Sequence, residues 1–150
     1  MGVTSSEGFA LKHLSRDECL QLMDSVPVGR IVYTRKALPA VELVNFALDL
    51  SDIIIRTDAG GKLAAASRGA VVAFEADFIH ADDHSGWSVT VVGQAQAVTD
   101  DGETRRLEQL GLRPWAPGAG DHFIRISPAI VTGRRLGPQH PEESSDTHRL

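Results

Sequence analysis

The sequence predicts a mainly β protein, an antiparallel β-barrel with a few short helices. Runs of β-branched and aromatic residues recur along the chain and are separated by short polar turns. Strands joined by short turns pair in the antiparallel sense, because a parallel pair needs a long crossover connection. The predicted order is a helix, three strands, a short helix, two strands, a helix and a strand, which is typical of a small antiparallel barrel.

Length, composition and charge narrow the class of protein. With 150 residues, of which 42% are hydrophobic, the chain is long enough for one domain with its own core. A net charge of −5 argues against a general affinity for nucleic acid or anionic membranes. The single cysteine excludes an intrachain disulfide. With no secretory segment or apolar run of transmembrane length, we expect a soluble cytoplasmic protein.

We expect the barrel domain to span residues 13–136, between flexible segments at 1–12 and 137–150, which are small or polar. The predicted strands within it are 28–34, 40–48, a strand built on Ile53-Ile54-Ile55, 71–78, 87–98, and a last one that starts at His122 and reaches as far as Thr132. The strand at 87–98 is the longest of these. Gly93 in its middle indicates a bulge or a bend.

Two helices carry clear start signals. Ser15 is placed as an N-cap with Glu18 as its capping-box partner, so a helix is predicted over 16–24. Cys19 lies on the apolar side of this helix, and we expect it to pack and not to act as a nucleophile. Asp100 and Glu103 have the same spacing and predict a second helix that ends at Gly111.

The segment after the triple isoleucine combines several groups that bind anions. The buried strand delivers Arg56 and Thr57 to a turn at 58–61, which opens into a short helix at 62–67. A helix N-terminus exposes unpaired N–H groups and a partial positive charge, and glycines let a ligand approach the backbone closely. Together with Lys62, these groups predict a phosphate site. Alternatively, both cations are ordinary solvated ends, since the turn matches neither the P-loop nor the dinucleotide-binding pattern.

Three further features allow two interpretations each. Asn45 stands among apolar residues, so its amide needs either a neighbouring backbone partner or a bound ligand. Trp87, beside a glycine, either packs on the core or caps a planar ligand. The segment 80–86 contains two histidines and two aspartates, but its spacing is that of a polar loop, and we expect no metal there.

Several short motifs follow one another at a characteristic spacing, and no single one of them identifies a family. They are Val28-Gly29-Arg30-Ile31, Val44-Asn45-Phe46, the run from Arg56 through Gly60-Gly61-Lys62-Leu63, Ala73-Phe74-Glu75, Gly86-Trp87-Ser88-Val89 and Val92-Gly93-Gln94-Ala95. Through their order and spacing, the chain resembles the pyridoxamine 5′-phosphate oxidase-like family, the FMN-binding split barrels, over residues 14–135.

The resemblance implies a homodimer with two FMN molecules at the subunit interface. In the family, the residues that match Arg56 and Thr57, together with the turn that matches Gly61, Lys62 and Leu63, hold the FMN phosphate.

The flavin ring has its own set of matching positions. In the family, the strand that matches Val44-Asn45-Phe46 runs along the isoalloxazine ring, where Asn45 would bond its polar edge. Ser88 matches a position whose side chain lies against the flavin. The resemblance makes Trp87 and Trp115 candidates for completing the pocket of a partner subunit.

Departures from the family pattern bear on the reaction. Pyridoxamine 5′-phosphate oxidases have an Arg-Lys pair in the phosphate turn, and a C-terminal Arg and His that grip the substrate phosphate. Here Lys62 is the single cation of the turn, and the tail after Arg135 becomes rich in Pro, Glu and Ser. We therefore expect a substrate other than a vitamin B6 compound.

Two classes of function follow from the resemblance. The first is an FMN-dependent oxidoreductase that acts on a small organic molecule, in which the flavin carries the chemistry and the protein binds and orients. The second is a barrel that holds a deazaflavin coenzyme or haem, or a flavin carrier without catalysis. A deazaflavin coenzyme has a longer anionic tail, for which Lys12, Arg30, Arg35 and Lys36 are possible partners.

Overall fold

The computed structural model describes residues 9–57, 68–113 and 122–138. Within these ranges the strands are β1 (Phe9–His13), β2 (Val28–Arg35), β3 (Leu38–Asp49), β4 (Asp52–Thr57), β5 (Val71–Ile79), β6 (Gly86–Ala97), β7 (His122–Ile126) and β8 (Ile130–Pro138). The helices are α1 (Arg16–Met23) and α2 (Asp101–Glu108). None of the helices in this part of the chain is long and apolar enough to cross a membrane.

Six of the strands close a barrel in the order β6, β5, β2, β3, β4, β7 and back to β6. Every pairing is antiparallel, and β8 and β1 extend the sheet outward from β6. The predicted mainly β, antiparallel split barrel is therefore confirmed. β3 and β6 each contain 12 residues, so β6 is not the single longest strand that the sequence indicated.

The start of α1 follows the sequence signal. The Ser15 hydroxyl accepts a hydrogen bond from the Glu18 backbone N–H at 3.2 Å, and the Glu18 carboxylate accepts one from the Ser15 N–H at 2.8 Å. This capping box gives hydrogen-bond partners to two backbone N–H groups that would otherwise be unpaired. Cys19 is fully buried in the barrel core, and burial raises the pKa of its thiol, as expected of a packing residue.

The triple isoleucine is apolar throughout because β4 is covered on both faces. Ile53 and Ile55 point into the barrel core, whereas Ile54 packs with Leu107 of α2 and with Phe123 in a second cluster. All three isoleucines are fully buried. A strand that is covered on both faces needs apolar residues at every position. The unbroken run of isoleucines is therefore explained by the cover that α2 provides on the second face.

Gly93 is required by a close approach of the backbone. β6 pairs with β8 up to Val92 and with β7 from Ala95 onward, so the chain connecting β7 to β8 passes directly over Gly93. A Cβ atom built there would lie 1.7 Å from the Ser127 carbonyl oxygen. Of the predicted bulge or bend, the bulge is absent, because the ladder with β5 continues through Gly93; the residue marks this crossing.

The predictions for both ends of the domain need correction. Residues 9–12, expected to be flexible, belong to β1. The last predicted strand divides into β7 and β8, and β8 reaches Pro138, inside the tail that we expected to be flexible. β1 is held by pairing with β8, and β8 by pairing with β6. Such long-range partners leave little mark on a local sequence. The short helix predicted at 62–67 lies outside the described residues.

A network of ion pairs joins α2 to the barrel. The Asp49 carboxylate accepts hydrogen bonds from Arg106 at 3.0 and 2.8 Å and from Arg125 at 3.0 Å. Arg125 also bonds Asp52 at 2.8 Å and contacts Glu103. Asp100 does cap α2, accepting from the Glu103 N–H at 2.8 Å. The Glu103 side chain, however, bonds Arg106 and Arg125, so the structure shows no reciprocal capping box at α2.

Replacing Asp49 should weaken the attachment of α2. The hydrogen bond from Arg106, aided by Arg125, lowers the pKa of Asp49 from 3.8 to about 2 in spite of its burial. A carboxyl with a lowered pKa stabilises the fold above the unfolded value and loses that contribution as the pH falls toward the folded value. We expect Asp49→Asn to lower the free energy of unfolding by about 2 kcal/mol at pH 7.

Urea denaturation checks this prediction. The difference from the wild type should shrink as the pH is lowered from about 4 toward about 2, the interval between the unfolded and folded pKa values. Asp82→Asn is the matched control, because Asp82 is exposed and makes no hydrogen bond or ion pair with the described residues. Equal stability losses in the two variants would contradict the role of the network.

Gly93→Ala should destabilise the protein by about 3 kcal/mol or more, because the added methyl group meets backbone atoms that cannot rotate away. Gly137→Ala is the control, since a Cβ atom there meets only an ordinary contact at 3.5 Å. The midpoint of thermal unfolding measures both. A Gly93→Ala protein as stable as the Gly137→Ala protein would show that the crossing over β6 is loosely packed.

Candidate functional site

Arg56, the cation predicted to bind phosphate, lies at the end of β4 on the side that faces α2. Its Nη1 atom donates a hydrogen bond to the Leu112 carbonyl oxygen at 3.0 Å. Its guanidinium also stacks over the Phe123 ring, 5.2 Å from the ring centroid. The strand alternation explains this placement, because Arg56 follows Ile54 onto the face that packs against Leu112 and Phe123.

Asn45, on the neighbouring strand β3, reaches the same segment of backbone. Its Nδ2 atom donates to the Arg113 carbonyl oxygen at 3.2 Å. The β3–β4 register pairs Phe46 with Ile55, so the next position along β3 places Asn45 beside Arg56. Of the two interpretations of Asn45, the structure contains the backbone partner. Two side chains predicted to bind the cofactor therefore converge on two consecutive carbonyl groups.

The other predicted cofactor-binding residues near this site do not all lie on the same face of the sheet. Val44 and Phe46 are buried in the barrel core, each 5% exposed, so only their backbone borders the outer side of β3. Thr57 is half-buried at the end of β4, where it pairs with His122. The predicted positions Gly61, Lys62 and Leu63, and also Trp115, lie outside the described residues.

Trp87 and Ser88 project from opposite faces of β6. Trp87 is 7% exposed and belongs to the barrel core, whereas Ser88 is on the outer face opposite Asp77. Asn45 is on this same outer face but two strands intervene, a separation of about 14 Å at the usual strand spacing of about 4.8 Å. Ser88 and Asn45 are therefore too far apart in one chain to contact the same small group.

The outer face carries a continuous apolar row. Its five residues lie on five strands, and each residue is paired with the next one on the neighbouring strand. Val41 and Ile130 at its ends are 62% and 58% exposed. The row consists of Val41, Val32, Ala73, Val92 and Ile130. Val32, Ala73 and Val92 between these ends are half-buried, so the row is a partly exposed apolar surface.

A charged cluster adjoins this row. Arg30 Nη1 donates to Glu75 Oε1 at 3.0 Å and to Asp77 Oδ2 at 3.2 Å. Burial, aided by the neighbouring Asp77 carboxylate, raises the pKa of Glu75 to about 7, against the opposing effect of Arg30. Sequence analysis placed Arg30 and Glu75 in motifs and named Arg30 as a possible partner of a deazaflavin tail. It did not bring Arg30, Glu75 and Asp77 together, because the β2–β5 register is not visible in the sequence.

The loop between β5 and β6 does not gather metal ligands. His80 stacks edge-on against Phe78 with ring centroids 4.8 Å apart, and Asp83 accepts from the Ser85 N–H and hydroxyl at 3.0 and 2.7 Å. Across the described ranges, no group of three or more His, Cys, Asp or Glu side chains is placed to hold a metal ion.

The closed six-strand barrel, with two extra strands extending from β6, defines the class as a split β-barrel protein. The family model of pyridoxamine 5′-phosphate oxidase matches residues 15–135. The chain belongs to this pyridoxamine 5′-phosphate oxidase-like family, as the order of the sequence motifs indicated.

Individual relatives and solved structures are similar to this chain over most of its length. The uncharacterized protein Rv0080 of Mycobacterium tuberculosis is 42% identical over 128 residues, which are 82% of this chain and 84% of the relative. The solved FAD-binding protein of Mycobacterium smegmatis is 33% identical with a TM-score of 0.66, covering 84% of this chain and 98% of that one. A conserved Corynebacterium diphtheriae protein of unknown function is 35% identical with a TM-score of 0.69, covering 83% and 97%.

Proposed function

We propose that this protein binds a flavin, FMN, beside Asn45 and Arg56 and is an oxidoreductase that acts on a small organic molecule. The observation that supports the proposal best is the convergence of these two side chains on the Leu112 and Arg113 carbonyl oxygens. An amide and a guanidinium on adjacent strands form a donor set for an acceptor-rich ligand. A flavin nucleotide is such a ligand, with carbonyl oxygens on its ring and anionic oxygens on its phosphate.

The residues present fit this group chemically. Arg56 has five N–H donors in a planar fork, so it can bond a phosphate while it remains stacked on Phe123. The stacking limits the rotation of the guanidinium and thereby orients its donors. Leu112 and Phe123 are 7% and 1% exposed, so water is largely excluded from one side of the guanidinium. The flavin, when bound, supplies the redox chemistry, and the chain binds and orients it.

FAD is a second candidate for the cofactor. The M. smegmatis protein that is 33% identical to this chain is an FAD-binding protein, and this chain covers 98% of its length. FAD and FMN share the ring and the first phosphate, so both would use Asn45 and Arg56. The added nucleotide of FAD distinguishes the two by mass.

We further propose that two copies of the chain associate through the outer face of the sheet, the face that carries the apolar row. The apolar row exposes Val41 and Ile130, and the adjoining cluster presents a cation beside two carboxylates, so a second copy could pair opposite charges across a two-fold axis. Association would also bring Ser88 of one copy toward Asn45 of the other. One chain alone separates these two predicted flavin contacts.

The cofactor proposal predicts a coloured protein. Absorbance in the flavin bands should be released on denaturation, and the mass of the released molecule should be that of FMN or FAD. We expect Arg56→Ala to raise the dissociation constant for FMN about 10- to 100-fold, because a charge-assisted bond to phosphate is lost. Calorimetric titration of the cofactor-free protein measures this constant.

Arg105→Ala is the matched control for that measurement. Arg105 is exposed on α2, and its removal changes the net charge equally without touching the site. Arg56→Lys keeps the charge but removes the planar fork, and should bind with intermediate affinity. Equal affinities in the Arg56→Ala and Arg105→Ala proteins would remove Arg56 from the site. Release of a deazaflavin coenzyme or haem would replace the flavin assignment.

The association proposal predicts a species of twice the 16.1 kDa chain mass in sedimentation equilibrium. A lysine in place of Ile130 would put an unpaired charge into the proposed interface and should raise the dimer dissociation constant at least about tenfold. Leu50→Lys is the control, because Leu50 is 97% exposed in the turn between β3 and β4, away from the apolar row. A monomeric wild-type protein at micromolar concentration would refute the association.

A further inference from the structure

A second set of side chains forms a row on the inner face of the sheet, at the end of the barrel near β1. The strand registers pair Phe78 with Trp87, Trp87 with Arg135, and Arg135 with Lys12. Directly opposed residues on neighbouring strands share a face and lie about 5 Å apart. The row therefore places two aromatic rings beside two cations, across four strands.

This row lines a cleft of about 530 Å³, a volume typical of small-molecule sites. Trp87 is 7% exposed and forms a largely buried part of the lining, whereas Phe78 is 47% exposed and forms an open wall. The His80 ring packs edge-on against Phe78 and limits its movement. The cleft therefore offers apolar ring surface that is held in place and accessible from solvent.

The charges in the cleft are unevenly satisfied. Arg135 is exposed and makes no hydrogen bond or ion pair at close contact within the described ranges. Its charge does reach the exposed Glu18 carboxylate, whose pKa is lowered by the Ser15 N–H, by Lys12 and, to a smaller extent, by Arg135. Lys12 lies 3.7 Å from Glu18, but this pair is solvent-exposed and such pairs are weak. The one nearby carboxylate of the β5–β6 loop, Asp83, is already bonded to Ser85, which lowers its pKa. The β1–β8 end of the row is therefore the end suited to a negative group.

We propose that this cleft binds a planar aromatic anion. The ring lies against Phe78 and Trp87, and its carboxylate or phosphate contacts Arg135 and Lys12. The adjacency of ring surface and cations selects this class, since a neutral ring makes no charge-assisted bond to the cations and a small inorganic anion leaves the aromatic wall unused. The cleft is on the opposite face of the sheet from Asn45, so this site does not depend on the proposed flavin function.

The test titrates the purified full-length protein with 2-naphthoate, by calorimetry and by the NMR shift of the Trp87 indole N–H. The chain has two tryptophans, and Trp115→Phe assigns the indole signals. Two analogues, each lacking one half of the ligand, test the two halves separately. 2-Naphthamide keeps the ring without the charge, and cyclohexanecarboxylate keeps the charge without the planar ring. Each analogue should bind at least about tenfold more weakly than 2-naphthoate.

The variants test the residues. Arg135→Gln should weaken 2-naphthoate binding at least about tenfold and Lys12→Gln by a smaller factor, because Lys12 is already paired with Glu18. Arg134→Gln is the matched control, since Arg134 is the neighbouring exposed arginine of β8 and faces the opposite side of the sheet. It should bind within about twofold of the wild type.

Three results would overturn the proposal. The first is no binding of 2-naphthoate by the wild type at millimolar concentration. The second is an Arg135→Gln protein that binds as tightly as the wild type. The third is an equal loss in Arg134→Gln, which would place the ligand on the outer face, or displacement of the bound cofactor by 2-naphthoate, which would place it in the proposed flavin site. Melting temperatures of the variants, expected to match the wild type, separate loss of binding from loss of folding.

Discussion

Closure of this barrel depends on the crossing of two backbones at Gly93. β6 is long enough to pair with β8 along its first part and with β7 along its last part, and the connection from Ser127 to Ala129 must pass over it at the change of partner. That connection bonds directly to β6, from the Ser127 N–H to the Gln94 carbonyl at 3.1 Å and from the Ala129 N–H to the Val92 carbonyl at 3.0 Å. Only a residue without a side chain leaves room for these bonds.

The crossing gives the inner and outer faces of the sheet different roles. The inner face of β6 fills the barrel with Val89 and Val91, and at its open end it presents Trp87 to the cleft beside Arg135. The outer face carries Ser88 and the apolar row, which a strand period of two keeps separate from the core. One strand thus contributes to the core, to the proposed aromatic-anion cleft and to the proposed dimer surface.

α2 has a similar double role around β4. Its Leu107 covers Ile54, and the chain that leaves α2 brings the Leu112 and Arg113 carbonyl oxygens to Arg56 and Asn45. The ion pairs of Arg106 and Arg125 with Asp49 fix the helix to the barrel. The geometry of the candidate site is therefore coupled to the ion pairs that hold the last turn of α2 to Asp49, because a shift of the helix would displace both carbonyl groups.

The sequence by itself determined the elements whose cause is local. The capping box at Ser15, the apolar run of β4 and the family motifs could all be identified without coordinates. Tertiary structure alone decided what depends on distant pairing. Registers between strands far apart in the chain determine β1 and the length of β8. They also determine the row from Phe78 to Lys12 and the partners of Asn45 and Arg56. Such registers are set by packing and hydrogen bonding across the whole sheet, which no local pattern of residues encodes.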